Sequence, residues 1–343
     1  MNLLYSEIEE ELRASVRDLL RDRSPQDVVL ARVSAGLGYD PALWRALAVD
    51  LGAAGLQDPA VGGTLREVAV VMEELGRSVA PTPFLGSAVL ATAALGWERV
   101  GERTATLVVP FSGGAPSVRA AGGRLSGRVT SVADALSADL LVVPVVGGSL
   151  WVVERASVDS GVTVTPRTSL DLTRPLADVE FEGAPGQLVT EDPAVLDRAL
   201  LTGAGLLASE QLGIAEWCLA STVEYLRERR QFNRPVGSFQ ALKHRLADLW
   251  LEVVGARAAA RAAADALATG AADTEILVAV AASHCGTVAV RAAEECVQLH
   301  GGIGMTWEHP AHLYLKRAKA DQLALGTPGR HRARLAELVD LPA

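Results

Sequence analysis

Residues 225–240 read Tyr225-Leu-Arg-Glu-Arg-Arg-Gln-Phe-Asn-Arg-Pro-Val-Gly-Ser-Phe-Gln240, which places positive charge and aromatic rings at the predicted end of a long helix. Guanidinium groups match the geometry of phosphate oxygens, and aromatic faces cover flat rings. A dinucleotide such as FAD offers both kinds of group. The alternative is a solvated basic helix end, which the helix dipole favours at a C-terminus. The side chains concerned are Arg227, Arg229, Arg230, Arg234, Phe232 and Phe239.

A second unusual stretch runs from Gln298 to Pro310 and reads Gln-Leu-His-Gly-Gly-Ile-Gly-Met-Thr-Trp-Glu-His-Pro. Its glycines follow directly after a long segment with helical periodicity. Glycine lets the backbone turn sharply and lets a ligand approach it closely. The alternative is an ordinary helix C-cap. A Rossmann fingerprint is excluded, because these glycines end a helix instead of joining a strand to a helix.

The remainder of the chain divides by its hydrophobic pattern into helical, strand-rich and helical parts. The first hundred or so residues repeat apolar side chains with the period of a helix face. Short β-rich runs with glycine turns follow, which predicts an antiparallel sheet or barrel. Long helical segments with short links then predict an antiparallel bundle. We therefore predict an α+β fold, mainly α, with an N-terminal helical domain (1–103), a middle antiparallel β domain (104–190) and a C-terminal four-helix bundle (191–343).

Individual segments support this division into helical, β and helical parts. Asp40-Pro41 predicts a helix start, because Asp caps well and Pro fits the first turn. A further helix is predicted from about Leu65 to Arg77. The predicted strands are 106–109, 140–146, 150–153, 162–165 and 179–181. The predicted bundle helices are 193–230, 239–268, 274–299 and 310–325.

Composition and charge exclude several classes of protein. The chain has 343 residues, of which 49% are hydrophobic, so it can bury a large core and is not disordered. The net charge of −9 opposes nucleic acid as a partner. The longest apolar run, 140–153, is broken by Pro144 and falls short of the roughly 20 residues of a membrane span. Residues 1–22 lack the apolar core of a secretory signal, so a cytoplasmic location is expected.

The cysteines do not suggest a covalent or metal framework. Cys218, Cys285 and Cys296 are odd in number, widely spaced and placed in helix-like segments. This pattern predicts small buried hydrophobic residues, not disulfides or a zinc site. No metal site is predicted.

Together the two unusual stretches resemble the acyl-CoA dehydrogenase family. Arg229-Arg230-Gln231-Phe232, followed by Gln240, is similar to the family's Arg-x-x-Phe-Gly…Gln stretch. Gln298 to Gly304 is similar to its Gln-x-x-Gly-Gly-x-Gly stretch. Tyr314–Lys319 fits the helix that follows, and Trp44–Gly63 resembles the family's N-terminal pattern. The resemblance covers essentially the whole chain and agrees with the helix–β–helix order.

The resemblance implies an activity and a set of cofactor-binding residues. The family oxidises acyl-CoA to trans-2-enoyl-CoA: a glutamate removes the α-proton, FAD accepts the hydride, and electrons leave to an electron-transfer flavoprotein. FAD lies at a dimer interface, and both stretches reach across to the neighbour's FAD. Asn233 replaces the family's usual Gly, a mild departure because Asn tolerates positive φ. The residues implied to bind FAD are Arg229, Gln231, Phe232, Gln240, Gln298, Gly301 and Gly302.

The chain departs from the family where its own catalytic site would lie. Leu325, before Gly326-Thr327, stands in the place of the usual glutamate base and cannot take a proton. Gly203, followed by Ala204, stands at the alternative base position and is not acidic either. The family's flavin-contacting Trp-Ile-Thr corresponds to Ser131-Val132-Ala133. Its Thr-Glu-Pro loop has no clear counterpart near 109–112.

These departures suggest the non-catalytic member of a hetero-oligomer, a heterodimer or an α2β2 tetramer. A homologous subunit would supply the base and the flavin-ring contacts, and this chain would close the shared FAD site. Such assemblies act in bacterial steroid degradation, which makes a bulky acyl-CoA plausible.

Two alternatives remain open at this point: a complete homomeric dehydrogenase with an unrecognised base, and a flavin-free scaffold or thioester-binding relative. Glu210 and Glu216 are the candidates for a displaced base. Glu308, His284 and His300 are interpreted as structural, although His300 is also a candidate neighbour of a flavin.

Overall fold

A computed structural model describes residues 3–155 and 160–341 of the chain. Helices form the N-terminal part, and capping residues explain where several of them begin. Ser6 and Thr64 each form a capping box with a glutamate three residues later, and the Asp40 carboxylate accepts from the first turn of the helix that Pro41 opens. These helices are α1 (Glu7–Arg23), α2 (Gln26–Ser34), α3 (Pro41–Trp44), α4 (Leu65–Ser78), α5 (Thr92–Leu95) and α6 (Trp97–Val100), with π-helical segments at Arg45–Asp50 and Leu85–Ala91 and a 3₁₀ turn at Ala53–Gln57.

Strands follow between the two helical parts. One sheet has the order β1-β4-β5-β8 and the other the order β2-β3-β7-β6. The predicted antiparallel pairing holds except for β1 and β4, which pair in parallel. A separate cluster of buried side chains from both sheets joins them. The strands are β1 (Ala105–Leu107), β2 (Arg119–Ala121), β3 (Arg124–Ala133), β4 (Leu140–Pro144), β5 (Leu150–Glu154), β6 (Val162–Arg167), β7 (Leu176–Pro185) and β8 (Gln187–Thr190).

The C-terminal part contains the predicted long helices and one more. α8 and α9 both pack against α7, and α10 and α11 pack against α9. The additional helix, α11, begins at Thr327-Pro328, where the threonine hydroxyl accepts from a backbone amide of the first turn. The elements are α7 (Ala194–Glu228), the short hairpin β9 (Arg230–Gln231) and β10 (Arg234–Pro235), α8 (Gln240–Thr269), α9 (Thr274–His300), α10 (Ala311–Leu323) and α11 (Pro328–Leu338).

Helix α7 connects the two large cores of the protein. Its residues Ala199, Leu206 and Leu207 belong to the buried cluster that contains the N-terminal helices. Its residues Ala208 and Leu212 belong to the buried cluster of the C-terminal bundle. The same helix therefore stabilises both parts.

Helix α9 is the one helix, within the described ranges 3–155 and 160–341, that is long and apolar enough to cross a membrane by length and composition. Of its most apolar window, 67% is buried inside the protein. In the sequence the longest continuous apolar run is 140–153, whereas Ser283, His284 and Thr287 interrupt the run of α9. Its burial among the other helices is typical of a core helix.

Helices α4 and α7 approach each other backbone to backbone. A Cβ added at Gly213 would overlap the carbonyl oxygen of Glu73, and one added at Gly76 would overlap that of Glu210. The two glycines therefore set the distance between these helices.

Gly213→Ala is expected to lower the free energy of unfolding by roughly 1–3 kcal/mol, because the new methyl group forces α4 and α7 apart. Gly286→Ala on α9 is the matched control, since its added Cβ comes no closer than 3.4 Å to Gln211. That variant should gain up to about 1 kcal/mol from better helix propensity. Urea unfolding followed by circular dichroism measures both. Equal destabilisation of the two variants would contradict the proposed backbone contact.

Candidate functional site

The arginine-rich stretch forms a tight hairpin at the end of α7. Arg229 caps this helix, donating its backbone N–H to the Tyr225 carbonyl over 2.8 Å. Gln231 then pairs with Arg234 across a two-residue turn. Phe232 and Asn233 form that turn with φ angles of +53° and +62°. Positive φ at both central positions is what a type I′ two-residue hairpin turn requires, and Asn233 adopts it readily.

Phe232 is exposed and held in an unfavourable backbone conformation. It is 83% exposed, and a positive φ is uncommon for a bulky residue. The Phe239 ring meets it edge-on with centroids 5.9 Å apart, and the Arg234 guanidinium lies 3.8 Å from the Phe239 ring centroid. Strained backbone of this kind clusters at binding sites, which supports a ligand-binding role for the turn.

The glycine-rich stretch lies at the same end of the bundle. Gly301 ends α9 with a φ of +63°, and a Cβ added at Gly302 would meet no atom within 4 Å. The Tyr225 ring, near the end of α7, stacks on the His300 ring with centroids 4.5 Å apart. The start of α8 runs beside the end of α9, where Arg245 pairs with Glu295 over 2.7 Å. The residues implied to bind FAD all lie exposed at this end: Arg229, Gln231, Phe232, Gln240, Gln298, Gly301 and Gly302.

This end of the bundle fits a phosphate-bearing, ring-containing cofactor. Arg229 is exposed and has no ion-pair partner among residues 3–155 and 160–341, so its guanidinium is available to an anion. The open backbone at Gly302 allows a ligand to approach closely. We call the surface formed by 229–240 and 298–302 the cover surface.

The two positions that the resemblance implies for the base, 325 and 203, lie side by side near the other end of α7, and both are apolar. A Cβ added at Gly203 would lie 3.0 Å from the Leu325 side chain and would overlap that of Leu90. Glycine at 203 therefore lets the two leucines pack against α7. No acidic side chain occupies either position.

The segments around Phe111 and Ser131 meet Leu325 at the same place. The Leu325 N–H donates to the Phe111 carbonyl over 2.7 Å, and the Phe111 N–H donates to the Ser131 carbonyl over 2.9 Å. Between these segments the structure leaves a cavity of about 10 Å³. Such a volume holds about one water and excludes a flavin ring or an acyl thioester. The lining residues are Leu85, Gly86, Leu90, Thr106, Leu107, Val109, Phe111, Ala133, Asp134 and Leu325.

Asp134 is the one acid that lines this cavity. Its carboxylate accepts from the Gly86 N–H over 3.2 Å, and the residue is buried. Burial raises the pKa of Asp134 to about 6, and the charges of Arg174 and Arg317 oppose the rise only in part.

The Asp134 carboxyl is expected to make stability depend on pH. A rise in pKa from 3.8 to about 6 corresponds to roughly 3 kcal/mol. An acid whose pKa is raised by folding favours the folded state while protonated, so this stability is lost as pH rises through the folded pKa. Relative to Asp134→Asn, the wild type should therefore lose up to roughly 3 kcal/mol between pH 4 and pH 7. Urea unfolding at several pH values measures it, with the exposed Asp18→Asn as control; a difference that does not vary with pH contradicts the assignment.

The candidates for a displaced base are engaged elsewhere. Glu210 is buried between Arg174 and Arg317, with its oxygens 2.7–2.9 Å from the Arg174 guanidinium. Burial alone would raise the pKa of Glu210, but the two arginines lower it, so it accepts a proton poorly. Glu216 pairs with Arg257 over 2.7 Å, and Glu308 is exposed at the surface.

Buried ion pairs connect the β domain to the bundle around Glu210. The Arg317 guanidinium bonds Asp171, Thr173 and Glu210, and Arg174 bonds Asp321 over 2.6 Å. This network could not be predicted from the sequence, because its members lie far apart in the chain.

The three cysteines are free and buried, as predicted. In the part of the chain that the structure describes, no group of three or more His, Cys, Asp or Glu side chains is arranged to hold a metal ion.

Comparisons with known proteins identify the family. The sequence profile of the acyl-CoA dehydrogenase C-terminal domain matches residues 194–339. Acyl-CoA dehydrogenase IpdE2 of Mycolicibacterium smegmatis is 37% identical over 336 residues, which cover 96% of this chain and 98% of that protein. The chain belongs to the acyl-CoA dehydrogenase family. Acyl-CoA dehydrogenase FadE27 of Mycobacterium tuberculosis is 35% identical over 89% of this chain and 90% of its own length.

Solved acyl-CoA dehydrogenase structures confirm the fold. The ChsE4–ChsE5 complex of Mycobacterium tuberculosis contains a chain with a TM-score of 0.86 and 28% identity, and the match covers 100% of both chains. A chain of the steroid acyl-CoA dehydrogenase Tcur3481–Tcur3483 has the same TM-score and identity over 97% of this chain and 98% of its own. The predicted α+β class, with helical, β and helical parts in that order, is thus confirmed.

Proposed function

We propose that this chain is the non-catalytic subunit of a heteromeric, FAD-dependent acyl-CoA dehydrogenase. Its cover surface completes the FAD site of a homologous catalytic subunit, in a heterodimer or an α2β2 tetramer. The catalytic subunit supplies the base and the contacts to the flavin ring. The observation that carries the proposal is that the two positions implied for the base are Leu325 and Gly203, which pack together with Leu90 and offer no proton acceptor.

The length of α7 separates these two positions from the cover surface. Gly203 lies near the start of α7 and Arg229 caps its end. At about 1.5 Å per residue, the two positions are roughly 40 Å apart along the helix axis. A cofactor held by Arg229 therefore serves a site outside this chain's own cavity.

The residues of the cover surface have distinct tasks in this proposal. FAD, when bound, accepts the hydride that leaves the acyl β-carbon. Arg229 would donate charge-assisted hydrogen bonds to a phosphate oxygen, and the exposed face of Phe232 would cover a flat ring. Gly302 would let the backbone come close to the cofactor, and Gln240 and Gln298 would orient it by amide hydrogen bonds.

The proposed substrate is a bulky acyl-CoA of steroid origin, and the proposed electron acceptor is an electron-transfer flavoprotein. One solved relative at 28% identity, Tcur3481–Tcur3483, is named a steroid acyl-CoA dehydrogenase. Another at the same identity is the two-protein complex ChsE4–ChsE5. Both names support a two-subunit enzyme of this kind.

The test is the flavin-to-protein ratio, measured by absorbance on the chain alone and on the chain co-purified with a candidate catalytic subunit. We expect little flavin in the lone chain and about one FAD per pair of unlike chains in the complex. Activity with acyl-CoA and an artificial electron acceptor should appear only in the complex. Full flavin in the lone chain would contradict the proposal, as would a colourless complex.

The two alternative functions predict the results that would contradict the proposal: full flavin in the lone chain for a complete homomeric dehydrogenase, and a colourless complex for a flavin-free scaffold. A complete homomeric dehydrogenase needs a base beside the substrate, and Asp134 lines a space too small for a thioester. Leu325 also lines a larger pocket of about 630 Å³, where the acid Glu275 is paired with Arg334 over 2.7 Å. A flavin-free scaffold would stay colourless with any partner. The strained, exposed Phe232 turn favours a ligand-binding surface over a scaffold.

A further inference from the structure

Three rings in contact join the two segments of the cover surface: Tyr225 stacks on His300, and His309 lies tilted by 43° against the same His300 ring. The His300 ring lies between two others: its centroid is 4.5 Å from that of Tyr225 and 4.4 Å from that of His309. Tyr225 lies in the last turn of α7, four residues before Arg229. His300 is the last residue of α9 and directly precedes Gly301. The stack thus spans the ends of both helices and the loop after α9.

A backbone hydrogen bond fixes the orientation of the central ring. Nδ1 of His300 lies 2.7 Å from the Cys296 carbonyl oxygen, which only accepts, so Nδ1 carries the proton and donates. The same nitrogen lies 3.6 Å from the Cys296 Sγ. His300 itself is 2% exposed, so the ring has little freedom to rotate.

The outer members of the stack are also anchored. His309 Nδ1 accepts from the Ala311 N–H over 3.2 Å at the start of α10. Burial lowers the pKa of His309 to about 4, so this ring is neutral at neutral pH and packs against His300 without charge repulsion. The Tyr225 carbonyl accepts from Arg229, which ties the stack to the first cover residue.

We propose that His300 is a positioning residue for FAD binding, because its stacked ring holds the 229–240 segment and the 298–302 segment at the spacing that one FAD molecule requires. The inference rests on the proposed function of the cover surface. His300 does not touch the cofactor in this account; it acts through Arg229 on one side and through Gly301 and Gly302 on the other. Removing the ring leaves both segments folded, but the distance between them is no longer fixed.

The experiment measures the Kd of FAD for the co-purified complex stripped of flavin, by the change in flavin fluorescence on titration. His300→Ala should raise the Kd about tenfold, the effect of losing two aromatic contacts. At saturating FAD, kcat and the KM for acyl-CoA should remain as in the wild type, whereas a general structural defect would lower kcat as well. His284→Ala, on the same helix, is the matched control and should leave the Kd unchanged.

Two conservative variants separate the ring from its hydrogen bond. His300→Phe keeps a stacked ring and loses Nδ1, and His300→Asn keeps a donor near Nδ1 and loses the ring. The proposal requires that Phe restores most of the FAD affinity and that Asn does not. Equal or reversed affinities overturn it, and these two variants decide the matter even if His300→Ala fails to assemble.

Failure of this inference is distinguishable from failure of the proposed function. If Arg229→Ala weakens FAD binding and His300→Ala does not, the cover surface stands and the positioning role is wrong. If neither variant changes the Kd, the cover surface itself does not bind FAD.

Discussion

Arg317→Ala is expected to lower the free energy of unfolding by roughly 3–5 kcal/mol, the largest stability effect we predict for a single substitution in this protein. The Arg317 side chain is 1% exposed and pairs with Asp171 and Glu210. Its removal takes away the guanidinium bonded to Asp171 and leaves Arg174 to compensate the charges of both Glu210 and Asp321. Because Asp171 belongs to the β domain and Glu210 to α7, the loss weakens the contact between the two parts.

Arg334→Ala provides the matched control, since it removes the same group from an exposed site. Arg334 pairs with Glu275 and Glu337 at distances of 2.7 and 3.0 Å, and all three side chains are exposed. Exposed pairs contribute little to stability. Urea unfolding of both variants under the same conditions measures the difference. Similar midpoints for the two would show that the buried network does not hold the domains together.

Arg229→Ala should weaken FAD binding by the complex about 10- to 100-fold, which corresponds to the loss of one or two charge-assisted hydrogen bonds. The exposed guanidinium makes no ion pair with the residues that the structure describes, so its removal leaves no orphaned partner within them. The stability of the lone chain should therefore remain close to that of the wild type. Fluorescence titration of the flavin-stripped complex with FAD measures the Kd.

Arg198→Ala separates this local effect from a change in net charge. Arg198 lies at the opposite end of α7, where it pairs with Asp192 over 3.3 Å. The Arg198→Ala substitution removes one positive charge from the same helix and should leave the Kd for FAD unchanged. An equal loss of affinity in both variants would mean that Arg229 acts through the overall field and not by contact.

The helices were predictable because local signals agreed along the chain. Asp40 and Pro41 predicted a helix start that the structure contains, and Gly270 ends α8 with a φ of +62°. Strand β3 was missed for a physical reason. Its alternation of buried and exposed residues is interrupted by register shifts after Leu125 and after Val129, so no strict period of two is present in the sequence.

The residue types of the cover surface could be predicted from the sequence, but the packing around positions 203 and 325 could not. Arginines and aromatic residues within one short stretch are visible in the sequence, and so are glycines after a helix. Leu90, Gly203 and Leu325 come together only through the packing of three distant segments. The sequence places at position 325 a leucine, which cannot accept a proton, but only the structure shows that Leu90 packs beside it. The family resemblance indicated the positions 203 and 325, but not the side chains that pack around them.

The shared helix α7 has a consequence for how the protein opens. Because both large cores bury side chains of this one helix, neither core can lose its packing while the other keeps it. The N-terminal helices and the C-terminal bundle therefore form one cooperative folding unit, and the amide hydrogens in the middle of α7 exchange with solvent only through global unfolding. The exposed hairpin at its end lies outside both cores, so loss of the hairpin's structure does not by itself loosen the helix that carries it.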